Sequence, residues 1–292
     1  MERAFLPPAR CWRPLVELAL EEDMGPGDAT TPMVVEAGRT GDAVIEARQD
    51  LVACGLPVAS AVFQAVAADL RCDARVGDGA AVRAGDALLE VSGDLRAILA
   101  AERTALNFLG RLCGVATHTR RFVDAVADTG VRIVDTRKTL PGWRALDKYA
   151  TAMGGALNHR GGLFDGILLK DNHVALAGSV ELAAKSALAA APENLRVQIE
   201  VESEADAIAA VEAGVDFLLL DNLEPDEARR IVERLRGRAV LEASGGITLD
   251  NVRRLADTGV QRISIGALTH SAPGADIAME IDLGANSEGA RA

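Results

Sequence analysis

Arg137 and Lys138 in DTRKT, and His159, Arg160 and Lys170 in NHRGGLFDGILLKDNH, put imidazole, guanidinium and ammonium groups around short apolar runs of an acidic chain. Two carboxylates, Glu200 in VQIEVE and Asp221 in FLLLDN, follow downstream. Like charges about 4 Å apart repel by about 4 kcal/mol at an effective dielectric near 20, so a crowd of cations calls for a ligand with several negative charges. The planar fork of Arg suits carboxylate or phosphate, and two of them can clamp two carboxylates of one small molecule. The carboxylate pair suits Mg²⁺, which takes oxygen ligands and keeps water and phosphate in its shell. SGGI, with Ser244, Gly245 and Gly246, and IGAL, with Gly266, let backbone N–H groups approach a phosphate closely, although Gly-Gly alone also marks a bare turn.

These residues need a scaffold that brings them together. VRIVDT, GILLKD, VQIEVE, FLLLDN, AVLEAS and RISIGA read as strands, and the last four are separated by amphipathic helical stretches such as EADAIAAVEAGV and PDEARRIVERLRG. Strict strand–helix alternation with apolar strands implies a parallel sheet. A TIM-like α/β barrel of eight strands or fewer, over residues 116–271, is the expected fold, with function gathered where strands end. Any one polar strand end is ordinarily just solvated; six together are not so easily dismissed.

The first 115 residues have another texture. Short alternating strands with Gly-Asp turns flank PVASAVFQAVA, a helical stretch, and predict an N-terminal α+β sandwich domain, on which residues 272–292 are expected to pack back. DGAAVRAGDALLEV also fits the hairpin of a lipoyl or biotinyl carrier, but carriers need a modifiable Lys and the first Lys of the chain is Lys138. AERTALNFLGRLCGVATHTRRFVDAVADTG reads as a long connecting helix, bent at Gly114 and stopped by Gly130. The tail ANSEGARA reads as disordered.

The net charge of -12 disfavours nucleic acid and anionic membranes as partners, and no segment has the length and apolarity of a signal or membrane span. Cytoplasmic residence is expected. Cys11, Cys54, Cys72 and Cys113 are widely spaced, without a CxxC pair, and read as small hydrophobes.

DTRKTLPGWR, DKYATAMGGALNHRGGLFDGILLKDNH, IEVE, LLLDN, EASGGI and ISIGALTHSA, in that order, resemble the carboxylating nicotinate-nucleotide pyrophosphorylases, or quinolinate phosphoribosyltransferases. LALEEDMGPGDATT and ERTALNFLGRLCGVAT resemble the N-terminal part of the same family, so the likeness runs from about Leu18 to Ile281. It implies conversion of quinolinate and phosphoribosyl pyrophosphate to nicotinate mononucleotide, pyrophosphate and CO₂, with Mg²⁺, in NAD synthesis. It further implies that Arg137, His159, Arg160 and Lys170 surround the quinolinate carboxylates, with Thr136 beside them, and that Lys138 reaches the phosphoribosyl donor. Glu200 and Asp221 would hold the ribose and, indirectly, the metal-pyrophosphate end; Ser244, Gly245 and Gly246, with Ile265, Gly266 and Ala267, would cradle the 5-phosphate. Lys138, Lys170, Glu200 and Asp221 are the catalytic set so implied. Arg103 matches an arginine supplied by the partner subunit, which implies a homodimer with shared active sites. Ala156, where a third Gly is usual, and Trp143, where a smaller apolar residue is usual, depart from the pattern without touching a charged group.

Three rivals compete with this reading: a barrel aldolase using Lys170 as a Schiff-base nucleophile, the related pyrophosphorylase-like protein associated with molybdenum transport, and an anion sensor on a retired barrel. Duller roles are expected for His118 and His270 (structural), for His173 (a cap on the KDN turn), and for Tyr149 and Met153 (packing under the NHR loop).

Overall fold

The computed structural model describes residues 5–282, and the expectations for the ANSEGARA tail and for packing of residues 283–292 lie outside them. Two compact units emerge: Met1–His118 with Pro141–Gly154 and Ala272–Ala292, and Thr119–Leu140 with Gly155–Ser271.

In the first unit, strands β1 (Thr40–Ala47), β3 (Arg71–Ala74), β5 (Ala87–Asp94) and β12 (Ile277–Asp282) form a sheet in the order β12-β1-β5-β3. β1 lies antiparallel to both neighbours, Ala43 opposite Ile281 and Val91. β2 (Leu51–Val52) and β4 (Ala81–Val82) form a separate two-stranded sheet, and the helix Leu56–Val66 follows β2 in the chain. Alternate residues of β1, Ala43, Ile45 and Ala47, are fully buried with Phe63, Phe108 and Leu112. That is the period-2 pattern of a sheet with one face on a core.

The long helix is unbroken from Leu95 to Ala125, six residues earlier at its start than its apolar spacing suggests. Asp94 explains the early start, because its carboxylate accepts the Ala97 N–H at 3.0 Å and caps the first turn. Gly114 does not interrupt the helix; a Cβ there would sit 2.2 Å from the Pro273 carbonyl oxygen, so the glycine admits the C-terminal segment against the helix. Gly114→Ala is therefore expected to lower the unfolding free energy by about 2 kcal/mol, as overpacking does. A denaturation midpoint equal to that of the wild type would refute the close approach.

The segment Pro141–Gly154 groups with this unit and not with the barrel, where its sequence position had placed it. The cause is its helix Arg144–Met153, which buries Leu146, Tyr149 and Ala150 in the first core. Asp147, fully buried, accepts from Nε and Nη2 of Arg111 at 3.1 and 2.9 Å, and the Tyr149 hydroxyl donates to Asp78 at 2.8 Å. Tyr149 and Met153 thus pack on the first core, not under the NHR loop. Burial, then the charge of Asp78, raises the Tyr149 pKa. All four cysteines are free; Cys54 and Cys113 are buried, and burial pushes the Cys113 thiol up to about 12.

The second unit is the barrel. Strands β6 (Arg132–Val134), β7 (Ile167–Leu169), β8 (Val197–Val201), β9 (Phe217–Asp221), β10 (Val240–Ser244) and β11 (Arg262–Ser264) make one parallel sheet in the order β6-β11-β10-β9-β8-β7. Leu157 adds an isolated parallel bridge to Val134. Ile199, Val201, Leu218, Leu220, Leu241, Ala243 and Ile263 belong to the apolar core shared with the helices. The residues between them, Gln198, Glu200, Leu219, Asp221, Glu242 and Ser244, are absent from that core and face the barrel interior, as strand alternation requires. No helix among the described residues is long and apolar enough to cross a membrane.

Candidate active site

The C-terminal ends of the six strands open onto a cavity of about 640 Å³ within the second unit. Thirteen of the residues singled out in the sequence line it: Thr136, Arg137 and Lys138 after β6; His159 and Arg160 before β7; Lys170 after it; Glu200, Asp221 and Ser244 at the ends of β8, β9 and β10; then Gly245, Gly246, Gly266 and Ala267.

Fixed backbone sets these side chains. Asp135, fully buried at the end of β6, accepts the His159 N–H at 2.7 Å and so ties the NHR turn to the TRK turn. The Lys138 N–H donates to Thr136 Oγ1 at 3.0 Å, while the Lys138 carbonyl accepts from the buried Thr269 hydroxyl at 2.7 Å. His173 accepts the Lys170 N–H through Nδ1 at 2.9 Å, capping the helix Asp171–Ala177. Gly245 has φ +98°, and a Cβ on it would fall 2.1 Å from Asn222 Oδ1. Asn222 itself has φ +53°, a left-handed conformation that Asn tolerates.

Charge is divided across the cavity. Arg137 Nε is buried with no hydrogen-bond partner, an arrangement that leaves a guanidinium donor for a ligand. Burial, then the neighbouring charge of Arg137, lowers the Arg160 pKa. Two guanidiniums held in mutual repulsion are what an anion of two charges would relieve. Lys170 Nζ lies 3.1 Å from Glu200 Oε2, and Asp221 Oδ2 accepts from Asn222 Nδ2 at 2.7 Å.

His159 departs from its expected place among the cations. Its Nδ1 accepts the Arg160 N–H at 2.8 Å and its Nε2 lies 3.0 Å from Gln198 Oε1, a set of contacts that suits the neutral ring with its proton on Nε2. Ile265 does not line the cavity; its side chain is 1% exposed and its N–H donates to the Val134 carbonyl at 2.9 Å, so in IGA only Gly266 and Ala267 reach it. Arg103 is exposed on the long helix in the first unit and is not among the lining residues.

Seven lining residues escaped the sequence reading as site components: Leu168, Leu219, Asn222, Ile247, Thr248, Ser264 and His270. Leu219 and Ser264 could have been found by counting back two from Asp221 and Gly266, since side chains on one face of a strand recur every second residue. His270 was expected to be structural, yet it lines the cavity with its Nδ1 2.6 Å from Ser271 Oγ.

Known proteins show the same combination of elements. Residues 28–113 match the family described as quinolinate phosphoribosyl transferase, N-terminal domain, and residues 115–280 match its C-terminal domain. The nicotinate-nucleotide pyrophosphorylase [carboxylating] of Mycobacterium leprae is 43% identical over 277 residues, covering 92% of this chain and 96% of that protein. A probable enzyme of the same name from Bacillus subtilis is 38% identical over 262 residues, 90% of each chain. The solved structure of the nicotinate-nucleotide pyrophosphorylase from Francisella tularensis superposes with a TM-score of 0.92 at 33% identity, over 97% of this chain and 100% of that one. With both halves matched and the strand ends populated as described, this chain belongs to the quinolinate phosphoribosyltransferase family.

Proposed function

We propose that the cavity carries out the decarboxylating transfer of quinolinate: quinolinate and phosphoribosyl pyrophosphate become nicotinate mononucleotide, pyrophosphate and CO₂, a step of de novo NAD synthesis. The observation that carries the reading is the pair of guanidiniums, Arg137 with an unpartnered buried Nε and Arg160 under its neighbour's repulsion, inside a cavity whose lining falls within the family-matched residues 115–280.

Arg137 and Arg160 grip the two carboxylates and hold the pyridine nitrogen toward the anomeric carbon, with Thr136, His159 and Lys170 beside them. The nitrogen forms a bond to that carbon while the bond to pyrophosphate breaks. The carbon–carboxylate bond next to the nitrogen then breaks, CO₂ leaves, and the electron pair stays on the ring carbon, stabilised by the positive nitrogen until a proton arrives from water. No protein base is needed; positioning and preorganised charge supply the rate. Lys138, with the backbone of Ser244, Gly245, Gly246, Gly266 and Ala267, faces the phosphates, and Glu200 and Asp221 face the ribose and the pyrophosphate end.

Glu200 and Asp221 offer the carboxylate oxygens that Mg²⁺ takes, and would hold it together with pyrophosphate and water. When bound, it would neutralise charge on the leaving pyrophosphate. A homodimer completes the picture, with the exposed Arg103 of one subunit supplied to the cavity of the other, and the free cysteines suit a reducing, cytoplasmic setting. A Schiff-base role for Lys170 fits poorly, since its ammonium is ion-paired to Glu200 and its side chain is 49% exposed, not desolvated.

Pure protein mixed with quinolinate, phosphoribosyl pyrophosphate and Mg²⁺ is expected to yield nicotinate mononucleotide and CO₂ in equal amounts. Nicotinate in place of quinolinate is expected to give no product; product from it would move the assignment to a non-decarboxylating transferase. Thr269→Val removes the hydroxyl that holds the Lys138 carbonyl. Loss of about 1 kcal/mol of hydrogen bonding should raise KM for phosphoribosyl pyrophosphate about fivefold and leave quinolinate affinity unchanged, as separate titrations of each substrate would reveal.

A further inference from the structure

Beneath the cavity the barrel interior stays polar where an apolar filling would be ordinary. Gln198 on β8 is 2% exposed and Glu242 on β10 is fully buried, and neither side chain lines the cavity. Glu242 is backed by Arg262, whose Nε lies 2.8 Å from Oε2. Both interior groups converge on one ring: His159 Nε2 is 3.0 Å from Gln198 Oε1 and 3.5 Å from Glu242 Oε1. On its other side the ring accepts the Arg160 N–H at Nδ1, 2.8 Å away.

Hydrogen-bond chemistry allows one arrangement of these groups. A main-chain N–H can only donate, so His159 Nδ1 carries no proton. The neutral ring must then carry its proton on Nε2, and an amide oxygen at 3.0 Å is its acceptor. Turning the Gln198 amide over would set an NH₂ against that N–H, two donors facing each other, so the amide orientation is fixed as well. The chain of contacts runs Gln198, His159 ring, Arg160 main chain, with Asp135 holding the His159 N–H and the Gly166 carbonyl accepting from Arg160 Nη1 at 2.9 Å.

We infer that Gln198 is a positioning residue for quinolinate: by accepting the Nε2 proton of His159 it holds the ring that anchors the main chain at Arg160, and so sets where the Arg160 guanidinium meets the substrate. Glu242 Oε1 lies behind it, 3.5 Å from the same nitrogen and without a hydrogen bond to the ring. Both nitrogens of His159 are thereby engaged within the protein, and the ring presents its edge and face to the ligand while Arg160 does the gripping. This role rests on the cavity being the quinolinate site.

The test uses the whole wild-type protein, ¹³C,¹⁵N-labelled and without ligand, the His159 ring being assigned through its correlation to the assigned backbone. The expected spectrum has a protonated Nε2 and an unprotonated Nδ1; a proton on Nδ1 overturns the inference, and this holds even if no variant folds. Gln198→Met keeps the volume and removes the acceptor. It should loosen the His159 ring, seen as exchange broadening of its Nε2 signal, and weaken quinolinate binding about tenfold, as expected for one misdirected charge-assisted contact, with KM for phosphoribosyl pyrophosphate unchanged. Quinolinate affinity that survives Gln198→Met overturns this role alone, as does equal weakening of both substrates, which would signal general loosening of the barrel. A wild-type protein that binds no quinolinate overturns the substrate reading together with it.

Discussion

Arg137→Ala is expected to lower kcat/KM for quinolinate by about a thousandfold while the protein stays folded. The guanidinium supplies charge-assisted hydrogen bonds worth about 1.5–3 kcal/mol each, and losing two of them spans about two to four decades of rate. Stability should not fall, because the Nε has no partner in the protein and the charge of Arg137 disfavours that of Arg160. The melting temperature is therefore predicted to hold or to rise slightly. Arg137→Lys should recover little, since an ammonium cannot reproduce the two-pronged grip. Steady-state kinetics beside a thermal melt decide the matter: activity within tenfold of wild type would remove Arg137 from the clamp, and a large drop in melting temperature would make its role structural.

Gly245→Ala is the second change with a large expected effect, and here both stability and activity suffer. The residue sits at φ +98°, where an L side chain is strained by about 1–2 kcal/mol. Its new methyl would also lie 2.1 Å from Asn222 Oδ1 and 2.8 Å from Asn222 N. The second contact is to main chain, and that nitrogen donates to the Ser244 carbonyl at 2.9 Å, so β9 and β10 must separate at their ends or the turn must rebuild. Asp221, one residue earlier, moves with it. We expect unfolding free energy to fall by about 2–4 kcal/mol and turnover to drop at least a hundredfold, mostly through phosphoribosyl pyrophosphate. Urea denaturation and substrate titration read the two effects separately; an unstrained, active Gly245→Ala protein would contradict the geometry of this turn.

The six barrel strands were legible because each is a short apolar run that ends in a polar group, and the charged residues at those ends proved to share one cavity. Residues whose partners are remote in sequence were not. Tyr149 looked like packing for the next loop because the Asp78 that takes its hydroxyl lies 71 residues away. His159 looked cationic because nothing local announces that the Arg160 N–H and Gln198 would claim its two nitrogens. Ile265 looked like part of a phosphate cradle because glycine-rich spelling does not say which N–H groups the sheet has already used, and Val134 had taken this one. The early start of the long helix was hidden in a Gly-Asp pair that reads as a turn until its carboxylate is seen to cap.

The strands of the barrel carry two messages on alternating residues, grease toward the helices and chemistry toward the axis. Slipping any one of them by a single position would put a carboxylate such as Glu200 or Asp221 among the helices and a leucine or valine at the mouth, ruining fold and catalysis in one stroke. Insertions and deletions within β8, β9 or β10 should accordingly be lethal as pairs of defects, and added length should be accepted only in the surface connections at the opposite end, ahead of each strand.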